Sequence, residues 1–199
     1  MINQFQILAK LSLYAFMVSS LTNCQINPTQ QVLPELTFQH LKTLNLNVAK
    51  IEINHFYNQT LKAPYVDHLF HTPPAVALDR WAKDRLRSIG TKNYARFTIN
   101  KASVIETKLN IPKGIMSIFT KDQSERFDAT LEAKLEIFDD SGRRMGFAKA
   151  HAIRSMTLSE DSSINQRNQA WFNLTEELVR DINKELEKNI LKYLSRWIV

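Results

Sequence analysis

Cysteine occurs once in the 199 residues, glycine four times and proline six, and each scarcity removes a class of chemistry. A single thiol excludes a disulfide within the chain, so the fold has to hold through its core alone. The glycines, Gly90, Gly114, Gly142 and Gly146, lie too far apart to build a phosphate-cradling loop, and neither a G-x-S-x-G nor an H-E-x-x-H spacing occurs. No apolar run reaches the roughly 20 residues that a spanning helix needs. These gaps lead to the expectation of a chain that is not an enzyme and takes no cofactor or metal.

Where the one cysteine falls is informative. Lys10 precedes an apolar stretch of Leu11, Leu13, Tyr14, Ala15, Phe16, Met17 and Val18, then Ser19, Ser20 and Leu21-Thr22-Asn23-Cys24. A charged start and an apolar centre of about 7–15 residues is the pattern of a secretory signal. Leu21, Thr22 and Cys24 resemble the lipobox of bacterial lipoproteins, with Asn23 where Gly, Ala or Ser is usual. That resemblance implies cleavage of residues 1–23, acylation of Cys24 as a lipid anchor (palmitate among its chains), and a periplasmic body tethered to a membrane. Each buried methylene contributes about 0.8 kcal/mol, so two or more chains hold stably. Gln25, rather than Asp, implies the outer membrane, with the inner membrane as the alternative. An ordinary signal peptide that happens to contain a cysteine is the other reading of the same residues.

Charge adds little. The formal net charge is +6, and the densest basic stretch, Arg80, Lys83, Arg85 and Arg87, alternates with Asp79 and Asp84. Asp79/Lys83 and Arg80/Asp84 fall four apart, the spacing of a solvated helix face. No nucleic-acid partner is expected, because the basic residues are not interleaved with stacking aromatics.

Residues 24–46, rich in Gln, Asn, Thr and Pro, show no sustained period and read as a tether before a single domain over 47–199. Val48 to Tyr57 has a half-buried strand pattern with His55 on the face of Ile51 and Ile53. After Pro73-Pro74, Leu78, Trp81, Ala82, Arg85, Leu86 and Ile89 recur at helical spacing up to Gly90, which reads as the helix stop. Residues 95–107 read as a strand with a slip near Lys101 that suggests a bulge. Phe127 to Ile137 alternates apolar and polar residues throughout. Asp139-Asp140-Ser141-Gly142 is a turn signal, and Arg144 to Thr157 returns with Ala148, Ala150 and Ala152 on one face, small enough for a helix to approach. Ser163-Ile164-Asn165-Gln166 fits a capping box. Beyond it Trp171, Leu174, Leu178, Ile182, Leu186 and Ile190 run at three- and four-residue steps. Unbroken to Trp197 this helix is about 50 Å long at 1.5 Å per residue, which would overhang strands of ten to twelve residues. The order β-α-β-β-β-α predicts an α+β fold, a four-stranded, mostly antiparallel sheet with two helices on one face.

Pro73-Pro74-Ala75-Val76-Ala77-Leu78-Asp79-Arg80-Trp81-Ala82, Ser124-Glu125-Arg126-Phe127-Asp128-Ala129 and Ala170-Trp171-Phe172-Asn173-Leu174-Thr175-Glu176 resemble a family of uncharacterised alphaproteobacterial envelope lipoproteins. The element order is similar to the small lipoprotein of the lipopolysaccharide-assembly translocon and to auxiliary lipoproteins of lipid-transport ABC systems. This second resemblance is one of architecture and transfers no binding residue. Together they imply a non-catalytic binding or assembly subunit of an envelope transport or outer-membrane complex, working with an envelope protein partner.

Two segments are candidate contact surfaces. Ile111-Pro112-Lys113-Gly114-Ile115-Met116-Ser117-Ile118-Phe119 places apolar residues between two strands, where loops are normally polar. Ile115, Met116, Ile118 and Phe119, flanked by Lys108, Lys113 and Lys121, read either as a partner-touching flap or as an element folded over the core. The end of the last helix (Leu191, Leu194, Trp197, Ile198, Val199, beside Lys192 and Arg196) poses the same choice, and burial against its own sheet is the expectation. A carrier holding one lipid or apolar molecule is the alternative function; it requires a cavity of roughly 300–1,000 Å³ near Trp81, Leu131 and Trp171. His68 and His71, His55 and His151, and Asp139/Asp140 are read as surface, packing and turn residues.

Overall fold

The computed structural model describes residues 32–109 and 123–199. In chain order its elements are β1 (Leu44–Leu46), β2 (Lys50–His55), α1 (Pro74–Arg85), β3 (Leu86–Ser88), β4 (Tyr94–Lys108), β5 (Gln123–Phe138), β6 (Arg144–Ser159) and α2 (Ile164–Tyr193), with single 3-10 turns at Asp67–Leu69 and Ser195–Trp197. The fold is α+β. Its main sheet runs β2-β4-β5-β6, with β2 parallel to β4 and the other pairs antiparallel.

The alternation over Phe127–Ile137 resolves the sheet into two faces. Phe127, Leu131, Leu135 and Ile137 are fully buried beneath the helices, together with Phe97 and Ile99 of β4. The expected bulge is present as a register shift between Ile99 and Lys101. The turn before β6 closes with Gly142 at φ +81°, a conformation that favours glycine, and Asp139 accepts from the Ser141 and Arg143 backbone N–H groups. Ala148, Ala150 and Ala152 are buried where α2 lies over β6. The capping box forms: Ser163 Oγ accepts from the Gln166 N–H while Gln166 Oε1 accepts from the Ser163 N–H, 2.8 Å away. Both helices pack on the same face and are tied to each other by Arg85, 1% exposed, which bonds Glu187 at 2.9 Å.

Three expectations are corrected. The segment expected to be a tether up to residue 46 joins the folded body from Leu36 on: Leu36, Phe38, Leu44 and Leu46 are in the core, and β1 pairs in parallel with β3. α1 ends at Arg85, not Gly90, because pairing with β1 draws Leu86–Ser88 into a strand although Leu86 and Ile89 keep helical spacing. Gly90 instead permits a close approach, since a Cβ there would lie 2.5–2.6 Å from atoms of Asn47 and Val48. The overhang of α2 is absent, because β5 and β6 are 16 residues each, longer than assumed, so strands and helix match in length. Leu194 and Trp197 close over Gly146, as burial against the sheet requires, while Leu191 and Val199 stay exposed.

Candidate contact surface

The layer between helices and sheet is filled. Trp81 and Leu131 have no exposed surface and Trp171 has 7%, so no water-sized space adjoins the first two. Trp81 Nε1 donates to Asn183 Oδ1 at 2.7 Å and its ring lies 5.5 Å from that of Phe97. Trp171 stacks on Phe70 at 4.7 Å, with Phe127 edge-on at 5.9 Å. At Trp81 and Leu131 the space that a carrier would need is therefore occupied by side chains.

Cys24 and the segment with Ile115, Met116, Ile118 and Phe119 lie outside the described residues. The strands that flank that segment, β4 and β5, end at Lys108 and begin at Gln123. The histidines are dispersed. His55 Nε2 meets Asp79 at 3.0 Å, His151 Nε2 lies 3.8 Å from Glu132, and His68 Nδ1 is buried without a partner. Among the described residues no three His, Cys, Asp or Glu side chains stand close enough to hold a metal ion.

Away from the helices the sheet presents an open face. Over β2 and β4 its charges are matched at close range. Tyr94 stacks on Phe138 at 5.0 Å, the Arg96 guanidinium lies over both rings, and Arg96 bonds Glu52 at 3.1 Å. The hydrogen bond from Lys50 is the main cause that holds the Glu52 carboxyl below its usual range. Glu136, buried, pairs with both Lys134 and Arg144 at 3.0 Å.

Over β6 the matching is incomplete: Arg144 pairs with Glu136 and His151 lies 3.8 Å from Glu132, but Lys149 makes no ion pair among the described residues. A groove of about 1090 Å³ wraps the outer edge of this strand, from Glu132 and Lys134 on the open face, past Phe147, Lys149 and His151, to Lys188, Lys192 and Tyr193 of α2. Phe147, which lines the groove, is 45% exposed, and Ile153, farther along β6, is 58% exposed. The signal for this surface was in the chain, as large apolar residues on the outward-facing positions of β6, but it acquires meaning only once β6 is known to be an edge strand.

No family model matches the chain, and no curated protein matches it. Among solved structures it is similar to a minor lipoprotein from Acinetobacter baumannii (15% identity, 72% of this chain and 94% of that chain covered, TM-score 0.36). It is also similar to a DUF330 protein from Xanthomonas campestris (13% identity, 76% of this chain and 90% of that chain covered, TM-score 0.30).

Proposed function

We propose that this protein is a lipid-anchored subunit of the bacterial cell envelope that works by contact, without catalysis, as a binding or assembly component of a transport or outer-membrane complex. Acyl chains on Cys24 hold it at the outer membrane, facing the periplasm, and a protein partner is engaged by the folded body. The observation that carries this reading is the placement of the sole cysteine behind an apolar run of signal-peptide length, with the five residues Ser19-Ser20-Leu21-Thr22-Asn23 between them. The filled helix–sheet layer supports contact over carriage, since the large concavity lies outside the core at a sheet edge. Among the described residues no helix is long and apolar enough to cross a membrane.

Replacing the anchor tests this directly. Cys24→Ala is expected to move the protein from the membrane to the soluble fraction, and intact mass of the purified wild type is expected to show a chain starting at residue 24 with acyl chains attached. A full-length polypeptide with a bare thiol overturns the reading.

A further inference from the structure

β6 is the last strand of the sheet, and its outer side pairs with no other strand among the described residues. The Lys149 carbonyl points outward, because it accepts from the Asn189 side-chain amide of α2 at 2.8 Å. Backbone direction alternates along a strand, so the N–H and C=O groups of Phe147, His151 and Ile153 also face outward, and no backbone bond to another segment uses them. We propose that this edge receives an extended, carboxylate-bearing segment of a partner protein as a fifth antiparallel strand. Addition of a strand to an exposed edge takes its affinity from main-chain hydrogen bonds and its selectivity from alternate side chains.

Charge and apolar pattern define the occupant. The groove holds four lysines, Lys134, Lys149, Lys188 and Lys192, against Glu132 and Glu185. Lys134 is paired with Glu136 at 3.0 Å and Lys188 with Glu185 at 3.9 Å, whereas Lys149 makes no ion pair among the described residues. An antiparallel strand would set alternate side chains beside Ile153, His151, Lys149 and Phe147 in that order. The matching pattern is apolar, acidic, acidic, apolar. A second copy of this chain fits poorly. Antiparallel pairing centred on Ala150 would set Lys149 of each copy beside His151 of the other. It would also bring two copies of α2, which ride over β6, to about the 4.8 Å spacing of adjacent strands, where packed helices need about 8–10 Å. Asn189 acts as a guard on the edge, holding one of its acceptors.

The inference rests on the contact reading given above but not on the lipid, so the two fail separately. The probe is a fluorescent synthetic peptide, Thr-Val-Thr-Val-Thr-Glu-Thr-Glu-Thr-Val-Thr-Val-Thr, titrated by anisotropy against the full-length protein in detergent. A counterpart with Lys in place of both Glu serves as the control. The acidic peptide is expected to bind about tenfold tighter than the basic one, and Lys149→Glu to reverse the preference. Asn189→Ala, which frees the Lys149 carbonyl, is expected to tighten binding of the acidic peptide. On binding, the amides of Phe147, His151 and Ile153 should gain protection from hydrogen exchange, which attraction to lysines alone would not produce. Equal binding of the two peptides, no binding, or binding without protection of those amides overturns the proposal. Dimerisation through the same amides in the absence of peptide overturns it in favour of a second copy. Loss of membrane attachment in Cys24→Ala with peptide binding intact would leave it standing.

Discussion

The two edges of the main sheet are finished in different ways. On one side β2 pairs with β4 only as far as His55↔Ile99, where the bulge falls. Past that point residues 56–66 take over β4's outer groups. Phe56 and Tyr57 donate to the Ile99 carbonyl, Val66 to that of Val104, and Glu106 to that of Pro64, all between 2.9 and 3.1 Å. Asp67, 1% exposed, anchors this cover by accepting from Gln59 Nε2 at 2.8 Å and Tyr57 Oη at 3.3 Å. On the other side the 16 residues of β6 receive, among the described residues, one side-chain hydrogen bond to an outward-facing carbonyl, from Asn189. Exposed edges invite pairing, and proteins protect those that are not used. The contrast separates the part of β4 beyond β2, closed by buried polar anchoring, from a strand edge left available among the described residues, and it predicts that equal chemical changes at the two places have unequal costs.

The largest difference is expected at Asp67. Asp67→Ala removes a buried acceptor and leaves its donors unpartnered, which should lower unfolding free energy by about 1–3 kcal/mol in denaturant titrations. A second readout comes from Tyr57, whose phenol is held above its usual range by burial first and by the Asp67 charge second. The Asp67→Ala variant should therefore ionise Tyr57 at lower pH, read by ultraviolet titration against Tyr57→Phe. Unchanged stability would show that the cover holds without its anchor.

A smaller effect distinguishes how β6 is kept in place. Arg154, on β6, bonds Asp181 of α2 at 2.6 Å and Glu177 at 3.2 Å. The Arg154 hydrogen bond is the main cause that lowers the Asp181 carboxyl from its ordinary 3.8. A carboxyl depressed in the folded state contributes stability that is fully present above its unfolded value and fades as pH falls through the folded one. Melting temperature should thus drop below about pH 4, and Asp181→Asn should flatten that acid limb while leaving the high-pH side less stable than wild type. An acid limb unaltered by the substitution would assign the loss to other carboxylates, such as Glu52.

How much of this was legible follows from the range of the interactions. The β5 alternation, the β5–β6 turn, the Lys101 slip and the Ser163 capping box are local patterns, and each is found where the residues placed it. The β1–β3 pair is not local. Three residues on each side carry no period, and Leu44 and Leu46 sit in a Pro- and Asn-containing stretch that composition marks as a linker. Burial against distant elements decided their state, and the same pairing overrode the helical spacing of Leu86 and Ile89. The site followed the same rule. Phe147, Lys149, His151 and Ile153 are visible as an outward-facing set from alternation alone, but whether that set borders another strand or solvent depends on the sheet order.

The smallest effect on stability is expected at the bare edge itself, and it sharpens the comparison most. Phe147→Thr and Ile153→Thr exchange exposed side chains for a β-branched residue that suits a strand, so each should shift unfolding free energy by no more than about 0.5 kcal/mol. The same substitutions remove the apolar positions that would flank an incoming strand and so should weaken the acidic peptide. Lys149→Val acts in the opposite sense. It leaves folding nearly unchanged but strips the charge that discourages indiscriminate pairing, and light scattering should report increased self-association. A large loss of stability from any of the three would mean that β6 is structurally engaged along its outer side. The difference between the two edges would then be one of partner identity, not of availability.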